Sequence, residues 1–188
     1  MDKVFWVIPG KLAGRSGPDR DPWDLGVLSA AGIRAVLSVN DGESCSAGAF
    51  AERGMEYACV PLSTNTPPLP GDERICLEAL PKAHAFAAAQ LATGRAVLVH
   101  CTAGKDRTGL FLSYFLMLER GLTPHHAIEQ VRRVRPIALS AAGWDTFARE
   151  VLAHYALAST VQPAKVRPFA GGIEADVRKK RRRRLFSK

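Results

Sequence analysis

Residues 96–109 read Ala-Val-Leu-Val-His-Cys-Thr-Ala-Gly-Lys-Asp-Arg-Thr-Gly. The opening run, Ala96 to Val99, has the length and apolar character of a buried strand. Leu110 to Leu118 is apolar nearly all round, as a buried helix is. A strand that turns sharply into a helix leaves the first N–H groups of the helix without acceptors. With the positive end of the helix dipole, those groups make an anion site. Cys101 opens the connecting loop and Arg107 closes it. The stretch predicts a phosphate cradle with a nucleophile at its floor.

Magnitudes show what such a cradle has to supply. An ordinary thiol has a pKa of about 8.5, and the thiolate is the attacking species. Bringing a thiol to about 5 takes roughly 5 kcal/mol of preferential anion stabilisation. A helix dipole gives about 2 kcal/mol at most. The remainder has to come from loop amides aimed at the sulfur, the Arg107 cation and the Thr108 hydroxyl, so the loop works as a unit. Ala103 and Gly104 are small enough for the backbone to curl around a phosphate. Arg107 offers a planar fork that matches two phosphoryl oxygens, which lysine cannot do. On the residues alone, a buried structural cysteine and a satisfied core histidine at 100 stay open. A sulfurtransferase would also place a cysteine at a helix start, but the arginine spacing and Thr108-Gly109 favour phosphate.

His100-Cys101-Thr102-Ala103-Gly104-Lys105-Asp106-Arg107-Thr108-Gly109 resembles the His-Cys-x5-Arg-Ser/Thr-Gly signature of the cysteine-dependent protein tyrosine phosphatase superfamily. Trp6 to Arg20 resembles the entry strand of the dual-specificity-like branch, and Ala127 to Pro136 resembles one of its helices. The resemblance spans roughly residues 4–155. It implies an α/β, three-layer fold: a mostly parallel central sheet of about four to five strands flanked by helices. It also implies that Cys101 is the nucleophile forming a phosphocysteine, that Arg107 binds the phosphate and that Thr108 assists the thiolate. His100 would position the cysteine, and Thr102, Ala103, Gly104 and Lys105 would line the phosphate with it.

The family's general acid is usually an aspartate in a loop like Pro-Leu-x-Asp-x-x-Pro-Pro. Here the loop reads Pro61-Leu62-Ser63-Thr64-Asn65-Thr66-Pro67-Pro68, so Thr64 stands where the acid is expected. Asp106, inside the cradle, is the first candidate for that role, against a surface carboxylate paired with Lys105. Asp72 is the second, against a helix N-cap. Arg107 and the loop amides supply the charge stabilisation that a metal would otherwise give, so neither metal nor cofactor is expected. The expected substrate is a phosphorylated protein, as for a tyrosine or dual-specificity phosphatase. A phospholipid or inositide is the alternative, favoured by Lys105-Asp106, and a phosphate-binding pseudophosphatase is a further one.

With 188 residues the chain fits one domain with its own core. Cys45, Cys59 and Cys76 sit in apolar sequence and read as core residues; no spacing suggests zinc. Val4 to Ile8 is too short for a signal peptide or membrane span, so a cytoplasmic protein is expected. The net charge of +8 resides entirely in the segment from residue 163, with ten Lys or Arg against two Asp or Glu. The expected division is a phosphatase domain over 1–158 and a basic, disordered tail over 159–188. Seven adjacent cations, Arg178 to Arg184, fit an anionic membrane surface or nucleic acid.

Along the remainder, Val4–Ile8, Ile33–Val39 and Met55–Val60 read as strands and Lys11–Arg20 as a polar loop. Asp21-Pro22 reads as the start of a helix to Ala31, Ser46–Arg53 as a short helix, and Asp72–Ala92 as a helix kinked or divided at Pro81. Thr123-Pro124 opens another helix to Arg133, and Ser140 caps the last.

Overall fold

The computed structural model describes residues 3–161. Five strands, β1 (Phe5–Ile8), β2 (Leu12–Ser16), β3 (Ile33–Ser38), β4 (Glu56–Cys59) and β5 (Ala96–Cys101), form one sheet in the order β1-β2-β5-β3-β4. β2, β5, β3 and β4 run parallel, and only β1 pairs antiparallel, with β2. β5 is the central strand and every residue in it is buried, which is why its first four residues, Ala96 to Val99, are all apolar. Its alternation divides two cores. Val97, Val99 and Cys101 face α3 (Asp72–Ala92), α4 (Asp106–Arg120), α5 (Pro124–Val134) and α6 (Trp144–Val161). Leu98 faces α1 (Leu25–Ala30) and α2 (Ala47–Ala51). The three layers expected from the sequence are present. No described helix is long and apolar enough to cross a membrane.

Several local expectations are corrected. Leu12–Ser16 is a strand inside the sheet, where a polar loop was expected. Its glycine serves packing: a β-carbon on Gly14 would meet the Phe5 ring at 2.4 Å. Asp21 does not cap a helix but binds Arg15 Nη2 and Lys3 Nζ, each at 2.8 Å, while Asp24 caps α1 from Leu25. α3 runs through Pro81 undivided, because Leu80 and Ala83 on either side are fully buried and packing outweighs the missing donor. Ser140 caps nothing; α6 starts at Trp144 and Ser140 Oγ accepts from Lys105 Nζ at 3.2 Å. Of the three cysteines expected inside, only Cys76 is core, since Cys59 sits exposed on edge strand β4 and Cys45 is half-buried. The basic segment from residue 163 lies outside the described residues.

Candidate active site

Cys101 ends β5 and Asp106 begins α4, with residues 102–105 as the turn between. α1, α2 and α5 each start under a side-chain cap, from Asp24, Ser46 and Thr123. α4 has Lys105 at its N-cap position and no side-chain cap, so its first amides have no acceptor in the helix or its cap. The Cys101 sulfur is buried here, 2% of the residue being exposed. The hydroxyl of Thr108, itself fully buried, donates to it at 3.2 Å.

The turn is held so that its carbonyls face outward. Cys101 O accepts from Gly17 N at 2.8 Å and Gly104 N at 3.3 Å, and Thr102 O accepts from Gly17 N at 3.1 Å. Ala103 O takes Arg135 Nη2 at 2.9 Å and Ser16 Oγ at 3.1 Å, and Gly104 O takes Arg135 Nε at 3.2 Å. A planar trans peptide points its N–H away from its C=O, so carbonyls fastened outward turn amides inward. Gly104 has φ +60, and a β-carbon there would lie 2.4 Å from the carbonyl carbon and oxygen of Arg15. Only glycine fits. Burial pulls the Arg135 guanidinium below its ordinary pKa, and the Cys101 sulfur opposes that pull.

Arg107 is buried and its fork is engaged by the 61–71 loop. Nε donates to Ser63 O at 2.8 Å, and Nη2 donates to Asn65 O at 2.9 Å, to Thr66 Oγ1 at 3.3 Å and to Thr64 O. Its guanidinium carbon stands 4.5 Å from the centroid of the Trp144 ring, and Trp144 Nε1 donates to the same Asn65 carbonyl at 3.1 Å. The sequence suggests a fork free for two phosphoryl oxygens. A buried guanidinium needs acceptors, and in this structure main-chain carbonyls take the Nε–Nη2 edge.

The two carboxylate candidates differ in setting. Asp106 is 3% exposed; its Oδ1 accepts from Ala141 N at 3.1 Å and its Oδ2 stands 3.8 Å from Lys105 Nζ. It is therefore internal, not a surface carboxylate. Asp72 opens α3 after Gly71, so it is not the N-cap. Burial raises its pKa, but the Leu69 amide at 2.7 Å and the Ser63 and Asn65 side chains outweigh this and leave it below the ordinary value. Asp72 thus acts as the anchor of the 61–71 loop. Thr102 is exposed at the cradle mouth and Ala103 half-buried.

This geometry has counterparts among known proteins. Residues 1–166 match the family described as PTP-SAK, Swiss Army Knife protein, DSP-PTPase phosphatase domain. The chain belongs to the DSP-PTPase phosphatase family. A dual specificity protein phosphatase 12 of Rattus norvegicus is 33% identical over 147 residues, 77% of this chain and 39% of that protein. The chain therefore spans about two fifths of that curated relative. A phosphatidylglycerophosphate phosphatase PTPMT1 of Arabidopsis thaliana is 33% identical over 69 residues, covering 36% of this chain and 20% of that one. A crystal structure of a mutant form of Tk-PTP superposes with a TM-score of 0.67 at 25% identity, over 83% of this chain and 98% of that one.

Behind the DSP-PTPase cradle, His100 points to the opposite face from Cys101. Trp23 stacks edge-on against its ring at 4.7 Å, and Nε2 lies 2.5 Å from Ser38 Oγ and 3.4 Å from Cys45 Sγ. Burial, with the Arg15 cation adding to it, lowers its pKa to about 4, so the ring is neutral. Its ring binds Ser38 and Cys45 on that face and does not reach the Cys101 sulfur. Among the described residues no group of three His, Cys, Asp or Glu could hold a metal. The sequence offers Arg132, Arg133 and Arg135 either as lining of the cleft rim or as a charged helix face, and of these Arg135 reaches the turn. Sequence reasoning missed Ser16 as a clamp of the cradle, Gly17 as the donor beneath it, and Trp144 beside Arg107, each far from residue 101 in the chain.

Proposed function

We propose that this chain hydrolyses phosphomonoesters through a phosphocysteine intermediate, with phosphorylated side chains of proteins as substrates. The observation that carries the reading is the Cys101 sulfur under the uncapped start of α4, hydrogen-bonded by Thr108. The Cys101 thiolate attacks phosphorus, the bond to the leaving oxygen breaks, and that oxygen takes a proton. Water then attacks the phosphocysteine, gives up a proton and releases inorganic phosphate, which regenerates the thiolate. The inward amides, together with the Arg107 cation through the Nη1 edge that the 61–71 carbonyls do not take, hold the charge on the equatorial oxygens in both steps.

Asp106 is the proposed proton donor and acceptor, because it is the carboxylate of the cradle itself. Asp72 is held below the ordinary carboxylate range by its donors, which makes it a poor acid. The test is the pH–rate profile of Asp106→Asn on an aryl phosphate. Loss of the basic limb and about 10²-fold in rate supports the role; a profile and rate equal to the parent overturns it.

The second reading is a phosphoinositide or other lipid phosphatase. Lys105 favours it, a half-buried cation tied to Ser140 Oγ at the cradle mouth, where a second phosphate would sit. A panel of phosphopeptides against phosphoinositide vesicles separates the two readings by kcat/KM. We also keep the division into a domain over 1–158 and a basic tail, with a cytoplasmic setting and an anionic membrane or nucleic acid as the tail's partner. Vesicle flotation with and without residues 163–188 tests the membrane arm, and unchanged association removes it.

A further inference from the structure

Among the described residues, three buried side-chain polar atoms lack a hydrogen-bond partner: Arg15 Nε, Asp41 Oδ2 and His100 Nδ1. They fall in one place, directly behind the nucleophile. Arg15 is the register neighbour of His100 across β2 and β5. Asp41 and His100 converge on Gly17: a point one bond off its α-carbon lies 2.7 Å from Asp41 Oδ2 and 3.3 Å from His100 Nδ1. The same point is 3.2 Å from the Cys101 carbonyl oxygen. Asp41 Oδ2 and His100 Nδ1 therefore share a neighbourhood under the cradle, beside the Gly17 amide that holds Cys101 O at 2.8 Å.

The hydrogen bonds on the other side of the ring fix which atom of His100 carries hydrogen. Tyr57 Oη donates to Gly42 O at 3.2 Å, and a carbonyl can only accept. The Tyr57 hydroxyl hydrogen is thereby used, so Ser38 Oγ donates to Tyr57 Oη across their 2.9 Å contact. The Ser38 hydrogen is then used as well, so His100 Nε2–H donates to Ser38 Oγ at 2.5 Å. Nδ1 of the neutral ring is left as an acceptor, fully buried, and Asp41 is the side chain that faces it.

We propose that Asp41 is a positioning residue for the nucleophile, holding His100 in the Nε2–H form through a hydrogen placed between Oδ2 and Nδ1. That hydrogen is supplied by the carboxyl itself or by a single water donating to both atoms. With both ring nitrogens engaged and Trp23 against the ring, His100 cannot turn, and its main chain fixes the end of β5 on which Cys101 sits. Burial, and then the neighbouring Glu43 and Asp19 carboxylates, raise the Asp41 pKa, which favours sharing a proton. The other polar and charged groups around this row are Arg15, Cys45, Tyr57 and Ser38. Gly17 is required because a methyl there would wedge the carboxylate from the ring.

Asp41 also has a left-handed backbone, φ 65, so a role in the turn has to be separated from a role through its carboxyl. Asp41→Gly does this, since glycine suits the turn and removes the side chain. Asp41→Asn keeps a hydrogen to give to Nδ1, and Gly17→Ala keeps the carboxylate but displaces it. The primary readout is the pair of His100 side-chain ¹⁵N shifts in the full chain, which reports the tautomer whether or not the protein hydrolyses phosphate. The inference rests on the proposed hydrolase activity only for its second readout, kcat and KM on an aryl phosphate.

The parent and Asp41→Asn should show the Nε2–H form and equal rates. Asp41→Gly and Gly17→Ala should show mixed tautomers and a kcat lower by about tenfold, with KM nearly unchanged. An Nδ1–H ring in the parent overturns the proposal. So does an Asp41→Gly protein that keeps both the parent tautomer and the parent kcat, which would leave Asp41 as a turn residue alone. If Asp41→Gly does not fold, Gly17→Ala decides by the same two readouts.

Discussion

The two faces of the sheet at the carboxyl end of β5 settle their polar groups in different ways. On the α4 face, around Cys101, the groups that matter are main-chain amides of an uncapped helix, and the side chains serve to hold carbonyls away from them. On the α1–α2 face, around His100, the main chain is satisfied by the sheet and the polar work is done by side chains packed into a row. One residue of strand separates the two regimes. The first leaves the opening amides of α4 without an acceptor in the helix or its cap; the second pairs the Ser38 and Tyr57 hydroxyls and His100 Nε2 with one another. A nucleophile needs the first kind of surroundings, and a rigid support is best made from the second.

The sharpest way to break this comparison is Cys101→Ser, which should lower turnover of an aryl phosphate by about 10⁴-fold or more while leaving the urea midpoint near the parent. Near-parent turnover would remove the front face from the chemistry. Next is Gly104→Ala, which meets immovable backbone of Arg15 and a positive φ together. A stability loss of about 3 kcal/mol is expected, measured by urea denaturation. A loss below about 1 kcal/mol would mean that the turn can move off Arg15.

The back face is tested by pH. The folded pKa of His100 lies near 4, below its ordinary 6.5, so the unfolded chain binds the extra proton between those values. Stability should be unaffected above pH 6.5 and fall on acidification toward pH 4, by on the order of 3 kcal/mol. The raised pKa of Asp41 acts in the opposite direction, gaining stability as pH falls. Asp72, whose pKa is lowered, contributes only in more acidic solution. Urea midpoints across this window should slope in the parent and flatten in His100→Gln. The smallest effect is expected for Trp144→Phe, which removes the donor to Asn65 O and should cost about 1 kcal/mol.

Much of the front face was legible in the chain. The apolar run, the small-residue turn, the cysteine and arginine and the following helix are contiguous, and their spacing forces the sulfur to the helix start. Lys105 lies in the turn and Asp106 opens α4, yet the burial of Asp106 against Ala141 was not visible, because that amide comes from a segment 35 residues away. The strand at Leu12–Ser16 was hidden by Gly14 and Arg15, polar-looking residues whose roles are to admit the Phe5 ring and to bind Asp21. Asp21-Pro22 carried a valid local capping signal, and the Arg15 cation outbid it. Pro81 carried a valid breaking signal, and a buried face on both sides outweighed it.

By itself, then, the sequence determined the α/β alternation, the position of Cys101 at the end of its strand and the turn into a helix that follows, since each depends on neighbours within a few residues. The tertiary structure alone decided what points the turn's carbonyls outward, what fills the Arg107 fork, and which side chains brace His100. Those contacts join β2, β3, α5 and the 61–71 loop to one strand end. Hydrogen bonds between segments so far apart in the chain leave no periodicity or spacing to read, because their partners are chosen by packing and not by local geometry.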